Sequence, residues 1–273
     1  MAGGTDLIVE IRKGELQPSQ VIDIKNIPGL NHMEMAHGEL LVGTLVKIQE
    51  IAGSKIIREK FAILSQAAGS LGSPQVRNKA TIGGNLCQAA PSADMPPALI
   101  GLGAVVRFVG RSGEKTLRLE DFFLGAGQTA LQEGEILTQL IVPDMPAFSE
   151  GVYLKFGPRR AMDLALVAVA TVLELDADLS RCVDAKVVLG GVGPTPIRAK
   201  KAEEAIKGAR LSPTSIEKVA RIARDEAKPS TRLSARVSEW YRKEIVEVLV
   251  KRSFYQITDK LHVKRAGGKQ AET

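Results

Sequence analysis

The sequence predicts an α+β fold in two parts, and three observations carry the prediction. Up to Pro146, short apolar runs broken by glycine and proline mix with short helical patterns. Two long apolar strands, 165–175 and 185–189, then follow close together. From Ala199 onward the apolar spacing becomes that of helices. Asp144-Met145-Pro146 is the best boundary, which gives domains 1–146 and 147–255 and a tail, 256–273, expected to be disordered.

Taken in order, residues 7–11 are apolar at nearly alternate positions and read as extended, with a turn at Lys13-Gly14-Glu15. Residues 21–24 and 39–42 are strand candidates, ended by Asn26 with Pro28-Gly29 and by Gly43. Thr44 is placed to cap a helix over 45–52. A helix over 61–70 stops at Gly72, and 74–78 reads as loop. Asp94 is an N-cap candidate for a helix whose first turn holds Pro96 and Pro97. Strands 104–109 and 114–119 straddle a hairpin turn, and strand 136–142 ends at Pro143. After the boundary come strands 152–156, 165–175 and 185–189, then helices 202–206, 215–227 and 237–252. Ser212-Pro213 is a helix start.

Composition bounds the function. The chain has 273 residues, 44% of them hydrophobic, enough to bury a real core. No apolar run is long enough to cross a bilayer, and no basic stretch leads into an apolar core at the start, so a cytoplasmic protein is the default expectation. Cys87 and Cys182 make no disulfide framework and are too few for an iron–sulfur cluster. The net charge of +6 is uneven: from Arg198 to the end there are 19 Lys and Arg against 10 Asp and Glu. That excess fits an acidic partner or a solvated helical face; with aromatics at 4%, no base-stacking surface is read and nucleic acid is not expected.

Two glycine loops carry the chemistry: Ala2-Gly3-Gly4-Thr5-Asp6-Leu7 and Thr81-Ile82-Gly83-Gly84-Asn85. Glycine lets a ligand approach main-chain N–H groups, and successive N–H groups in a turn hold phosphate. Neither loop has the Gly-Lys-Ser/Thr ending of a nucleotide-binding P-loop, and neither fits G-x-G-x-x-G after a strand. Alone, either reads as a tight turn; together, with Asp94 beyond the second, they point to a ligand with two phosphates gripped from two sides. Asp94 also reads as a plain N-cap, Lys155 as a surface residue, and Tyr153 equally as a core tyrosine. His32, His37 and His262 show no ligand spacing, so no metal site is expected, and Cys87 reads as a small packed residue.

At this point the sequence resembles a known family. The start AGGTDL and the segment TIGGNLCQAAPSADMPPALIGLGA are similar to the two FAD-binding loops of the flavoprotein (medium) subunit of molybdenum hydroxylases, the carbon monoxide dehydrogenase and xanthine dehydrogenase type. Pro74-Gln75-Val76-Arg77-Asn78, Phe122-Phe123-x-Gly125, Glu135 to Pro143, Tyr153-x-Lys155 and Leu189 to Arg198 agree with its other segments, as do Ser234 and Tyr241-Arg242 near the end. The resemblance spans about residues 2–253. It implies a two-subdomain FAD-binding domain of the PCMH (vanillyl-alcohol-oxidase-like) type, followed by an antiparallel sheet with a helical bundle.

It also implies roles. Ala2, Gly3, Gly4, Thr5, Asp6 and Leu7 would wrap the FAD pyrophosphate with backbone amides, as would Thr81, Ile82, Gly83, Gly84 and Asn85. Asp94 would help fix the cofactor. Leu137 and Lys155 match contacts near the flavin ring, and Leu71 stands where relatives carry an aromatic or His. No substrate chemistry is implied here. A large subunit would oxidise substrate at a molybdopterin cofactor, and a small subunit would pass electrons through [2Fe–2S] clusters to FAD on this chain, in an expected dimer of heterotrimers. Relatives carry a strand leading into the first loop, where Met1 stands here, so weakened FAD binding is expected. Two alternatives remain open: a structural subunit that has lost FAD, and a stand-alone flavin oxidoreductase of the same fold.

Overall fold

The computed structural model of the chain describes residues 1–159, 162–229 and 237–271. Its first half is built on a five-stranded antiparallel sheet. Strands β1 (Met33–Ala36) and β2 (Glu39–Gly43) form a hairpin through His37 and Gly38, both at positive φ, as a two-residue turn requires. β3 (Val105–Gly110) and β4 (Gly113–Arg118) form the second hairpin, β5 (Phe123–Gly125) and β6 (Gln128–Thr129) pair separately, and β7 (Ile136–Pro143) runs between β2 and β3. Helices α2 (Ile48–Gly53), α3 (Lys55–Lys60), α4 (Ala62–Ser70) and α7 (Met95–Gly101) help form the core with this sheet. Every residue of α7 is buried, which is why its sequence shows no polar face.

The second sheet joins the two halves. It orders β11 (Ile197–Arg198), β10 (Cys182–Gly190), β9 (Val167–Leu175) and β8 (Ser149–Phe156), all antiparallel. On β9, Ala168 and Ala170 pack into the first core, while Val167, Val169, Leu173 and Leu175 pack into a second. A strand with both faces buried reads as a continuous apolar run, hence the strength of its sequence signal. The second core is closed by α9 (Lys200–Ile206), α10 (Pro213–Glu226) and α11 (Glu239–Ala271). Ser212 caps α10 with a capping box made with Ser215, as the Ser-Pro start predicts.

Several expectations need correction. Residues 7–11 are not extended: they open α1 (Leu7–Lys13), stopped by Gly14 at φ 75°. Five residues are too few to separate a period of two from one of 3.6. Residues 21–24 form no strand; Met1 bonds there instead, its amine donating to Ile22 O and its carbonyl accepting from Ile24 N–H. Thr44 does not cap a helix, because 44–45 form a turn closed by Val46 N–H donating to Gly43 O, and α2 starts after Lys47. The stretch 74–78 holds the short helix α5 (Pro74–Arg77), with Ser73 Oγ accepting from Val76 N–H. α11 runs on to Ala271, into the stretch read as a disordered tail. Residues 272–273 and Ser234 lie outside the described residues.

Candidate functional site

A cleft of about 1030 Å³ opens between the first glycine loop, the start of α6 (Ile82–Gln88), residues 90–94, residues 158–159 and 162–166, and Arg242 of α11. Both halves of the chain contribute to its wall. The first loop is fixed where it lies. A Cβ on Gly3 would stand 2.2 Å from Lys79 O, and Gly4 takes φ +73° beside Met1 Sδ. The N–H groups of Gly3, Gly4, Thr5, Asp6 and Leu7 donate to no acceptor among the described residues. Loop and cleft therefore present a run of main-chain donors.

The second glycine loop differs from its reading. It is the first turn of α6, and its amides are already engaged. Ile82 N–H donates to Val46 O, Gly83 N–H to Thr44 O, Gly84 N–H to Thr81 Oγ1 and Asn85 N–H to Thr81 O. Thr81 is the N-cap, and Ile82 is buried in the core. A Cβ on Gly83 would fall 1.6 Å from Thr44 Oγ1, so that glycine lets α6 press onto the 44–46 segment. Gly84, in contrast, is exposed on the cleft wall. Asn85 lines the cleft too, and its buried Oδ1 has no hydrogen-bond partner.

Asp94 stands at the N-cap position of α7, but its carboxylate makes no cap bond. Instead it lines the cleft and anchors a buried cluster. Tyr153 OH donates to Oδ1 at 2.7 Å; Lys155 Nζ donates to Oδ2 at 3.0 Å and lies 2.9 Å from Oδ1. Lys155 Nζ also donates to Ser70 O at 3.1 Å. Burial holds the Asp94 carboxyl above the ordinary aspartate range, against the opposing pull of Lys155. Burial, then the Asp94 charge, push Tyr153 well above the ordinary tyrosine value. Tyr153 is thus a core residue, and Lys155 stands behind Asp94, since neither lines the cleft.

Leu137 lies elsewhere. It lines a second, mostly apolar cavity of about 520 Å³, with Ile22, Ile24, Leu131 and Ile136. Met1, Ala2, Leu7, Gly84 and Cys87 line both cavities, so the two spaces meet at the first loop. Cys87 is open to the cavities yet crowded on its other sides. That crowding pushes its thiol up to about 12, which leaves it a poor nucleophile. Among the described residues no group of three His, Cys, Asp or Glu is placed to hold a metal, and no helix is long and apolar enough to cross a membrane.

Sequence reasoning gave Arg242 no role at this site. The residue is 2% exposed and lines the cleft, with Nη1 donating to Gly191 O at 3.1 Å. The family resemblance marks Tyr241-Arg242 only as part of the closing helix, and Arg242 reaches the cleft through the packing of α11.

Comparison with known proteins gives concordant matches. Residues 1–145 match the family described as the FAD binding domain in molybdopterin dehydrogenase, and residues 152–257 the CO dehydrogenase flavoprotein C-terminal domain. The chain is 32% identical over 257 residues to a glyceraldehyde dehydrogenase medium chain of Sulfolobus acidocaldarius, covering 94% of this chain and 89% of that one. It is 33% identical over 264 residues to the nicotinate dehydrogenase FAD-subunit of Eubacterium barkeri, covering 96% and 88%. It superposes with a TM-score of 0.89, at 27% identity, on a chain of the carbon monoxide dehydrogenase from Hydrogenophaga pseudoflava, covering 93% and 87%.

Proposed function

Because the chain belongs to the flavoprotein family of molybdopterin dehydrogenases and carries its FAD-binding domain, we propose that it is the electron-transfer subunit of a molybdenum hydroxylase. The observation that carries this reading is the run of unengaged amides at Gly3 to Leu7, at the junction of two cavities. A dinucleotide has that shape: a diphosphate in the middle and a ring system at each end. FAD fits the residues present. The open amides match the diphosphate, Gly84 leaves a bare wall, and Asn85 Oδ1 is a buried acceptor in want of a donor.

The holding residues would then be Ala2 to Leu7 through their backbone, with Thr81, Gly84 and Asn85 on the facing wall and Leu137 in the apolar cavity. Asp94 would face the cofactor, held in place by Tyr153 and Lys155. Ile82 and Gly83 would act by seating α6 and not by contact. FAD, when bound, exchanges single electrons with one partner and electron pairs with another; the protein holds and tunes it. Domain 1–146 would bind the cofactor, and domain 147–255 would complete the cleft.

Electrons would arrive from [2Fe–2S] clusters on a small subunit, after substrate oxidation at a molybdopterin-bearing large subunit. The assembly would be a cytoplasmic dimer of heterotrimers. The relatives' names as medium chain and FAD-subunit support the subunit reading. The test is the visible spectrum of the purified chain after FAD is added and the excess removed. A retained, structured flavin band is the expected result. Its absence would sink the electron-transfer reading and favour a structural subunit.

A further inference from the structure

We infer that Arg77 is the residue that positions the amide loop for the cofactor's diphosphate, an assignment that rests on the FAD reading. Of the Pro74 to Asn78 motif only Val76 lines the cleft. Arg77 acts instead on the backbone that the first loop rests upon. Gly3 lies against residues 79–80: a Cβ there would stand 2.2 Å from Lys79 O and 3.1 Å from Ala80 Cα. The loop's amides are therefore placed by the 79–80 backbone beneath them.

That backbone belongs to no long element. It leaves α5, a helix of four residues, which is too short to hold itself. Lys79 N–H and Ala80 N–H both donate to Val76 O, at 3.0 and 2.8 Å. One guanidinium fixes this turn by two directed bonds. Arg77 Nε donates to Gln49 Oε1 of α2 at 3.0 Å, and Nη1 donates to Leu71 O at 3.0 Å. α2 also grips the far end of the turn, where Ile48 N–H donates to Ala80 O at 3.0 Å. Ile48 and Gln49 are adjacent, so Arg77, Gln49, Ile48 and Ala80 close the turn into a ring. Leu71 lines the cleft, so the same side chain ties the cleft wall to the bed of the loop.

A diphosphate held by main-chain amides needs several of them in place at once. A loop already fixed in the binding geometry gains affinity because less ordering remains to be done on binding. Arginine suits the task by shape. Its planar fork makes two bonds in set directions, which the single ammonium of lysine does not reproduce. Arg77 thus serves the cofactor through the position of the amides of Gly3 to Leu7, without lining the cleft itself.

The test uses the full chain loaded with FAD. It reads the FAD affinity by flavin fluorescence and the phosphorus NMR resonances of the bound diphosphate. Arg77→Met removes both bonds and is expected to weaken FAD binding about tenfold. At saturating FAD its phosphorus resonances should move toward those of free FAD, while the flavin band keeps its wild-type shape. Arg77→Lys keeps the charge and should behave like Arg77→Met. Gln49→Glu keeps an acceptor for Nε and should bind as wild type does. Gln49→Leu removes that acceptor and should weaken binding by a smaller factor in the same direction; it carries the test if Arg77→Met does not fold. Wild-type affinity in Arg77→Lys would show that charge alone suffices and would overturn the inference. Weaker binding with wild-type phosphorus resonances would assign Arg77 to general stability and overturn it too. A wild-type chain that retains no flavin would sink the FAD reading itself; retained flavin with unchanged affinity in Arg77→Met and Gln49→Leu would sink only Arg77.

Discussion

A Cβ on Gly83 would stand 1.6 Å from Thr44 Oγ1 and 2.9 Å from Thr44 O, whereas one on Gly84 would meet only Thr81 Oγ1, at 3.0 Å. Adjacent glycines in one motif therefore serve different ends. Gly83→Ala must push α6 off the 44–46 segment and should cost about 3 kcal/mol, at the upper end for overpacking, seen as a lower melting temperature. Gly84→Val should melt near wild type and fail to retain FAD; loss of fold instead would show that Gly84 is structural. Asp94 gives a pH prediction. The folded protein holds its proton more tightly than the unfolded chain, so the stability linked to it is full below the ordinary value of 3.8. That stability is lost as pH rises from there through the higher folded value. Denaturant melts of Asp94→Asn should show a flatter decline over that window than wild type; parallel curves would mean that Asp94 is not strained by burial.

Among the elements, Arg198 is one of the side chains that stitch the halves together. Arg198 in β11 donates from Nη1 to Glu120 of α8 (Leu119–Phe122) at 3.2 Å, and from Nη2 to Glu203 of α9 at 2.5 Å. Glu203 Oε1 also accepts from Val187 N–H in β10. Removing the cation would leave Glu203 buried without its charge partner. Arg198→Met should destabilise the chain by about 3–5 kcal/mol, the range for breaking a buried pair, as read by chemical denaturation. A loss under 1 kcal/mol would show that water screens the pair at the seam.

At the scale of the whole molecule, two clefts meet at a loop resting on the 79–80 backbone, and one of them is walled by both halves. A ligand seated across them should stabilise the chain as one unit. FAD at a hundredfold excess over its dissociation constant should add about 2.7 kcal/mol. The melting curve should move as one transition, monitored through both the buried tyrosine and the helix signal. Two transitions, only one of them moved by FAD, would show that the C-terminal half does not sense the cofactor.

What the sequence determined by itself was the class and order of most elements. The doubly buried strands β9 and β10 announce themselves as apolar runs, α10 by its Ser-Pro cap, and the ligand class by two glycine loops with an acid beyond them. Local chemistry suffices for these, because burial pattern, capping and backbone freedom are written in neighbouring residues. Tertiary structure decided the rest. It turned 7–11 into a helix, engaged the amides of Ile82 to Asn85, set Tyr153 and Lys155 behind Asp94, sent Leu137 to a second cavity, and brought Arg242 to the cleft. Each of these depends on groups far apart in the chain, such as Thr44 against Gly83 or Gly191 against Arg242, and a hydrogen bond or a close contact between distant residues leaves no mark in either neighbourhood.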